Sequence, residues 1–241
     1  MSERVVLVTG STSGIGEATA LRFANCGDMV VFNSRSSVDT GERLAAATPD
    51  SMYVQGDVAK SDDCVRLIAA VLARYGRLDV LINNAGTTRV IPHADLKAAS
   101  LDVWREIFEV NVFGTWSLCI EAMDSLRASH GAIVNVSSLA GVRPTGSSIP
   151  YAASKAAVNH MTALLAKVVG PDVRVNAVAP GLIDTPWTQD WDTVRGFVDT
   201  VAPLKRSGKP EDIAEVIEAL ASSTYVTGQV VVIDGGLGLA T

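Results

Sequence analysis

The chain has 241 residues, of which 48% are hydrophobic and 19% charged, and its formal net charge is −6. This composition supports a full hydrophobic core, and we predict one α/β domain over residues 1–241. The acidic balance and the lack of a basic block argue against a nucleic-acid partner. Three widely spaced cysteines and three histidines have neither disulfide nor metal-ligand spacing. We therefore expect no metal site, and we expect the cysteines to be core thiols.

The first four residues lead directly into an apolar run, so we expect no signal peptide. No apolar run approaches the roughly 18 residues needed to span a bilayer. We therefore predict a cytoplasmic protein without a membrane partner.

Short apolar runs alternate with helical patterns along the chain. Seven runs read as strands buried on both faces of a sheet: 5–8, 29–32, 52–54, 78–82, 132–136, 173–178 and 230–233. Helical patterns are clearest over residues 102–127 and 151–168, and Pro210 opens another. This alternation predicts right-handed crossovers and a parallel sheet with helices on both faces. The long stretch at about 184–208 reads as irregular, and we expect it to form a substrate lid.

A glycine-rich turn follows the first predicted strand and opens a predicted helix. Such a turn lets the backbone approach a pyrophosphate, and the helix N-terminus supplies unpaired N–H groups. Its Gly-x3-Gly-x-Gly spacing differs from the common Gly-x-Gly-x2-Gly fingerprint, and a simple tight turn is the alternative. The turn reads Gly10-Ser11-Thr12-Ser13-Gly14-Ile15-Gly16.

Tyr151 and Lys155 stand four residues apart in a predicted helix, so their side chains share one face. A free tyrosine has a pKa of about 10, and a nearby cation lowers the pKa by favouring the phenolate. The pair is therefore a candidate for proton transfer at a substrate oxygen. The same spacing also arises by chance in many helices.

Further motifs occur in order along the chain. They are Asp57-Val58, Asn83-Asn84-Ala85-Gly86, Asn111 within Glu-Val-Asn-Val-Phe-Gly, Ser138 thirteen residues before Tyr151, Pro180-Gly181 with Thr185, and Asp234-Gly235-Gly236. Together with Thr9–Gly16 and Tyr151-x3-Lys155, this set resembles the classical short-chain dehydrogenase/reductase family over the whole chain, nearest to its 3-oxoacyl-carrier-protein reductase-like members. The resemblance implies a single-domain Rossmann fold, a doubly wound seven-stranded parallel sheet in the order 3-2-1-4-5-6-7.

The resemblance also implies an oxidoreductase that interconverts a carbonyl and a secondary alcohol by hydride transfer. Tyr151 would be the general acid/base, and Lys155 would lower the Tyr151 pKa and hold the nicotinamide ribose. Ser138 would hydrogen-bond the substrate oxygen. Asn111 would kink its helix and complete a proton relay to Lys155, with a purely structural role as the alternative.

By the same resemblance, a dinucleotide lies along the glycine-rich turn. Asp57 and Val58 would contact the adenine ring, with a turn or capping role for Asp57 as the alternative. The segment after the fourth strand, Asn83 included, would lie under the cofactor, and Thr185 would hold the carboxamide. The full set of expected cofactor contacts is Gly10, Ser11, Thr12, Ser13, Gly14, Ile15, Gly16, Ser34, Arg35, Asp57, Val58, Asn84, Ala85, Gly86, Tyr151, Lys155, Pro180, Gly181, Ile183 and Thr185.

The end of the second strand bears on the choice of cofactor. An acidic residue there would bind the ribose hydroxyls of NAD, but this chain has Ser34 followed by Arg35. Arg35 could pair with the 2′-phosphate of NADP. We therefore predict NADP(H), with NAD(H) as the alternative, because Arg35 could also be a plain surface residue and Ser13 stands where some NADP-using relatives carry a base.

Basic residues suited to docking an acidic carrier protein are sparse. Arg127 remains before the fifth strand, while Asp172 stands in the turn before the sixth. We therefore expect a small or medium carbonyl or alcohol substrate. A 3-oxoacyl-carrier-protein, or a sugar or polyol, is the alternative, and a catalytically silent scaffold or a sugar epimerase is less favoured. Trp187 and Trp191 in the lid indicate either a ring-bearing substrate or simple packing.

The family resemblance also implies a homotetramer. Its subunits would join through the helical stretches 102–127 and 151–168 and through the C-terminal strand.

Overall fold

The computed structural model describes residues 4–240. Its strands are β1 Val5–Val8, β2 Met29–Ser34, β3 Met52–Gln55, β4 Val80–Asn83, β5 Ala132–Val136, β6 Arg174–Pro180 and β7 Val230–Ile233. Its α-helices are α1 Gly14–Asn25, α2 Val38–Ala47, α3 Ser61–Tyr75, α4 Leu101–Phe108, α5 Thr115–Ala128, α6 Ile149–Val169, α7 Asp192–Val201 and α8 Pro210–Ser222. All seven predicted strands are present: β1, β5 and β7 match the apolar runs, and the ends of the other four differ by one or two residues.

The strands form one parallel sheet in the order 3-2-1-4-5-6-7, which confirms the predicted fold. Parallel neighbours need long crossovers, and the helices between the strands supply them. The chain builds outward from β1 in one direction and then from β4 in the other. The carboxyl ends of β1 and β4 therefore flank the crevice where open α/β sheets bind their ligands.

Two hydrophobic cores cover the two faces of the sheet. Val5 and Leu7 of β1 face the core that holds α3, α5 and α6. Val6 and Val8 face the other core, which holds α1 and α8. The five central strands are buried on both faces and carry no regular polar alternation, and the edge strands β3 and β7 are only partly buried.

The predicted helix over residues 102–127 has an interruption at its centre. The helices α4 and α5 are joined by a π-helical turn over Glu109–Gly114, which contains Asn111. A methyl group in place of the Gly114 hydrogen would lie 2.7 Å from the backbone carbonyl oxygen of Val58. The π-helical turn therefore packs directly against the backbone of the loop after β3.

The prediction that residues 184–208 are irregular was wrong in part. The segment contains a short 3-10 helix, Pro186–Thr188, and the ten-residue helix α7. Prolines and glycines on either side of α7 and Gly196 within it obscured the helical pattern.

The prediction of three core thiols was also wrong at one position. Cys64 and Cys119 are buried, but Cys26 is exposed because it ends α1 at the turn that leads into Gly27. Within residues 4–240, no helix is long and apolar enough to cross a membrane.

Candidate active site

A cavity of about 620 Å³ opens at the carboxyl ends of β1, β4, β5 and β6. It is lined by all of the predicted catalytic and cofactor-binding residues except Ser11 and Asn111. Segments distant in sequence thus meet in one place, because the carboxyl ends of parallel strands share one edge of the sheet.

The glycine-rich turn forms one wall of this cavity. Gly10 has a φ of +62°, which favours glycine, and a methyl group on Gly16 would lie 2.3 Å from the Gly10 carbonyl oxygen. The Asn84 side chain fixes the turn by donating to the carbonyl oxygens of Thr9 at 2.8 Å and Gly10 at 3.0 Å. Ser13, at the N-cap of α1, makes no side-chain capping bond. The first turn of α1 therefore keeps N–H groups available for an anion.

Ser11 supports this turn from behind. Its side chain is buried and accepts a hydrogen bond from the Asn33 amide at 2.9 Å. Asn33 in turn accepts from the Gly10 amide through its side-chain oxygen at 3.3 Å. Ser11 thus ties the turn to β2, and its side chain does not line the cavity.

Ser138, Tyr151 and Lys155 come together through the packing of α6 against the end of β5. Ser148 caps α6 by accepting from the Tyr151 amide at 3.4 Å, which sets Tyr151 in the first turn. Lys155 lies one turn later, and its Nζ donates to the Val136 carbonyl oxygen at 2.8 Å. The Lys155 Nζ lies 5.8 Å from the centroid of the Tyr151 ring. The three functional side chains therefore face the same cavity.

Burial controls the ionisation of this group. Lys155 is only 4% exposed, and loss of hydration lowers its pKa from 10.5 to about 8. Burial raises the pKa of Tyr151, whereas a hydrogen bond with Ser138 acts in the opposite direction. Lys155 is not among the causes of this shift, so its lowering of the Tyr151 pKa stays a prediction. Desolvation of the phenolate dominates, and the ammonium is directed at the Val136 carbonyl.

Asn111 lies behind the cavity wall. Its Oδ1 accepts from the Thr87 amide at 2.8 Å, and its Nδ2 donates to the Thr87 carbonyl at 3.0 Å and to Ser154 Oγ at 3.0 Å. A methyl group on Gly86 would lie 3.4 Å from Asn111 Oδ1 and 3.5 Å from Lys155 Nζ. Asn111 therefore holds the Gly86–Thr87 backbone in place next to Lys155, which fits the structural alternative and leaves the relay as a prediction.

The ends of β2 and β3 form the far part of the cavity lining. Ser34 Oγ is 2.9 Å from the Tyr53 hydroxyl and accepts from the Ser37 amide at 3.1 Å. The Arg35 guanidinium is exposed and makes no hydrogen bond or ion pair with any residue from 4 to 240. Asp57 accepts from the Ala59 amide at 3.1 Å, so it has the turn role considered as an alternative, and it also lines the cavity.

Thr185 packs against the glycine-rich turn. A methyl group on Gly14 would lie 3.1 Å from Thr185 Cγ2. Asn83, in contrast, donates to Asn135 Oδ1 at 2.9 Å inside the sheet and does not line the cavity. Asn83 therefore has the structural role in the sheet that was expected beside the cofactor role, with its side chain directed at Asn135 and at Cys119 of α5, and its position under the cofactor stays a prediction.

Sequence reasoning missed several lining residues. Val194, Phe197 and Val198 of α7 face the cavity, and so does Leu139 after β5. The spacing of the three α7 residues is typical of one helix face and could have revealed them. The loop 145–147 also contributes, but no local pattern marks it.

Among residues 4–240, no group of acidic, histidine or cysteine side chains is arranged to hold a metal ion. Comparisons with known proteins agree with the geometry. A family model described as enoyl-(acyl carrier protein) reductase matches residues 10–238. The crystal structure of a protein from Burkholderia xenovorans described as a short-chain dehydrogenase/reductase superimposes with a TM-score of 0.92 at 40% identity, covering 99% of both chains. This chain is a classical short-chain dehydrogenase/reductase.

Two curated members of the short-chain dehydrogenase/reductase family are similar over nearly the full length. A protein of Streptomyces violaceoruber named as ketoacyl reductase 2 of the granaticin polyketide synthase is 55% identical over 239 residues, covering 98% of this chain and 96% of the relative. The 3-oxoacyl-[acyl-carrier-protein] reductase FabG of Thermotoga maritima is 41% identical over 243 residues, covering 97% of each. The chain is therefore an oxidoreductase that acts on CH–OH groups, in a family that binds NAD or NADP.

Proposed function

We propose that this short-chain dehydrogenase/reductase uses NADPH to reduce a ketone on a small or medium-sized substrate, with Tyr151 as the general acid. The observation that carries the proposal is that Ser138, Tyr151 and Lys155 line the same cavity as the glycine-rich turn. A proton donor and a dinucleotide-binding turn in one cavity are what carbonyl reduction requires.

The residues fit the reaction step by step. Bound NADPH would supply the hydride to the carbonyl carbon. Ser138 and Tyr151 would donate hydrogen bonds to the carbonyl oxygen, where negative charge develops, and the Tyr151 proton would pass to that oxygen. With a pKa of about 8, Lys155 is mostly protonated at neutral pH, so it would stabilise the phenolate that remains.

The cofactor end of the cavity favours NADPH over NADH. The first turn of α1 offers N–H groups to the pyrophosphate. Arg35 has no partner within residues 4–240 that would compete for its guanidinium, and it lines the cavity beside Ser36 and Ser37. The 2′-phosphate of NADPH would provide a negative charge to pair with the Arg35 guanidinium, and the neutral Ser34 would not repel that phosphate.

The surface at the turn before β6 favours a free substrate over one that is bound to a carrier protein. Arg174 donates to the carbonyl oxygens of Leu220 at 2.9 Å and Ala221 at 2.7 Å, so its guanidinium is occupied at the end of α8. Asp172 is exposed in the same turn. A ketone bound to an acidic carrier protein is the alternative, and the names of the two curated relatives support it.

Tyr151→Phe tests the proposal. The variant removes only the proton donor, so ketone-dependent NADPH oxidation should fall by a factor of at least about 100. The NADPH dissociation constant should stay within about twofold of the wild-type value, since the ring remains. Tyr75→Phe is the matched control, because the Tyr75 hydroxyl donates only to the exposed Asp50 carbonyl at 3.0 Å. Full turnover by Tyr151→Phe would rule out Tyr151 as the acid.

We also propose that the enzyme assembles as a homotetramer. Phe113 of the π-helical turn and Trp116 and Ile120 of α5 are about half exposed at helical spacing. On α6, Leu164 is about half exposed and Val168 is 69% exposed. Such contiguous apolar faces support burial against other subunits. Light scattering after size-exclusion chromatography should give four times the mass of the chain, and a monomeric mass would contradict the proposal.

A further inference from the structure

The cavity wall formed by α7 and the segment before it is apolar and aromatic. Trp187, Trp191, Val194 and Phe197 all line it. Trp187 is 47% exposed, Val194 45% and Phe197 52%, so large apolar surfaces remain uncovered at the site itself. Such a surface at a cavity marks a place where an apolar ligand gains by excluding water.

Trp187 stands directly beside the proposed proton donor. The centroids of the Trp187 and Tyr151 rings are 6.3 Å apart, and the ring planes meet at 72°. A ketone whose oxygen reaches the Tyr151 hydroxyl must therefore place part of its body near Trp187. A flat ring in that position gains aromatic contact in addition to apolar burial.

The segment that carries Trp187 is braced on both sides. Thr188 Oγ1 donates to the Ile183 carbonyl at 2.6 Å. Arg195 of α7 donates to the Thr188 carbonyl at 3.4 Å and pairs with Asp184 at 3.3 Å. The indole is thus presented on a fixed turn, which lowers the entropy lost when a rigid ligand binds.

The polar groups of the cavity fit a polyol less well. Among the lining residues, Arg35, Asp57 and Lys155 are the only charged ones, and the first two belong to the ends of β2 and β3. The Thr88 and Ser147 hydroxyls are 2.6 Å apart and bond each other. That bond uses one of the two O–H groups, so the pair offers a sugar one donor fewer, whereas an apolar ring needs no polar partner there.

We infer that the substrate is an apolar ketone with a flat, ring-bearing body, and that Trp187 is a specificity-determining residue that holds this ring beside Tyr151. The inference rests on the proposed carbonyl reduction, and it goes further by assigning the substrate class. It also chooses the ring-bearing alternative over simple packing for Trp187.

The test compares two ketones with ten carbons each. For 2-tetralone, which is bicyclic and flat, kcat/KM with NADPH should exceed that for the open-chain 2-decanone by about tenfold. Trp187→Phe, which retains a ring, should keep the preference. Trp187→Leu, which retains apolar volume without a ring, should reduce it to about twofold or less. The NADPH dissociation constant should stay within about twofold of the wild-type value in both variants, and in Trp187→Leu kcat/KM should fall more for 2-tetralone than for 2-decanone, a selective loss that a general structural defect would not produce.

A measurement on the wild-type enzyme supports the same comparison without relying on a variant. Inhibition of 2-decanone reduction by 2-naphthol should be at least about tenfold stronger than by 1-decanol. Equal inhibition by 2-naphthol and 1-decanol would overturn the inference. A preference for 2-tetralone that survives in Trp187→Leu would also overturn it, and so would oxidation of glucose with NADP that is faster than oxidation of 2-tetralol. These outcomes concern the substrate class alone, whereas turnover by Tyr151→Phe tests the proposed proton donor, so the inference and the proposed function can fail separately.

Discussion

Replacing Lys155 with methionine should abolish turnover without destabilising the fold. The Lys155 side chain is 4% exposed, and its pKa falls from 10.5 to about 8 on burial. At about 1.4 kcal/mol for each pKa unit, keeping this ammonium charged costs the folded state roughly 3 kcal/mol at neutral pH. Methionine removes that cost but leaves the Val136 carbonyl without its 2.8 Å donor, a loss of about 1–3 kcal/mol.

The net expectation for Lys155→Met is a free energy of unfolding that is unchanged or higher by up to about 2 kcal/mol. For a chain of this length, that corresponds to a rise in Tm of up to roughly 8 °C. Differential scanning calorimetry of the protein without added nucleotide would measure it. Lys167→Met is the matched control, since Lys167 is exposed on the same helix and the change should cost no more than about 0.5 kcal/mol.

The stability difference between Lys155→Met and the wild type should change with pH, in a direction that follows from the lowered pKa of Lys155. Because the folded-state pKa lies below the unfolded value, the unfolded chain binds more protons between pH 8 and 10.5, and wild-type stability gains over that window. The advantage of Lys155→Met should therefore narrow as the pH rises from 7 to 10. If Lys155→Met is several kcal/mol less stable than the wild type at pH 7, and if this difference does not change with pH, then burial of the Lys155 ammonium does not cost the folded state stability.

Three further predictions concern the cofactor and the backbone. Arg35→Ala should weaken NADPH binding by about 10- to 100-fold and NADH binding by less than about twofold, as measured by fluorescence titration with each nucleotide. Equal losses of affinity for the two nucleotides would show that Arg35 does not bind the 2′-phosphate. Gly141→Ala should destabilise by about 1–3 kcal/mol, because its methyl group would lie 2.7 Å from the Lys155 carbonyl carbon, and an unchanged Tm would contradict this. Gly196→Ala should instead stabilise α7 by about 0.5–1 kcal/mol, since nothing lies within 4 Å of its added methyl, and a lower Tm would count against that view.

The sheet was predictable because its five central strands are buried on both faces and its two edge strands are also short apolar runs. Continuous apolar runs identify such strands directly, and the motifs at their carboxyl ends then fall at one edge of the sheet. Twenty of the 22 predicted site residues line the cavity for this reason. The two exceptions, Ser11 and Asn111, support the wall from behind.

Other features depend on contacts between distant segments. Asn111 bonds with Thr87, 24 residues earlier, and with Ser154, 43 residues later, and no local pattern connects them. The pKa of Tyr151 is raised by burial, against the effect of a hydrogen bond with Ser138, and both depend on tertiary packing. The helix α7 was missed because Gly196 and the flanking prolines carry the composition of a loop, while packing on the cavity favours a helix.

The most direct measurement of the central claim follows a labelled hydrogen. NADPH carrying deuterium at both C4 positions of the nicotinamide would be incubated with the enzyme and 2-tetralone, and the alcohol product would be analysed by mass spectrometry. With the wild-type enzyme, we expect one deuterium on the carbinol carbon of the alcohol. With Tyr151→Phe, we expect product formation to be lower by at least about 100-fold. Unlabelled alcohol, or equal labelled product from Tyr151→Phe, would contradict hydride transfer assisted by Tyr151 in this cavity.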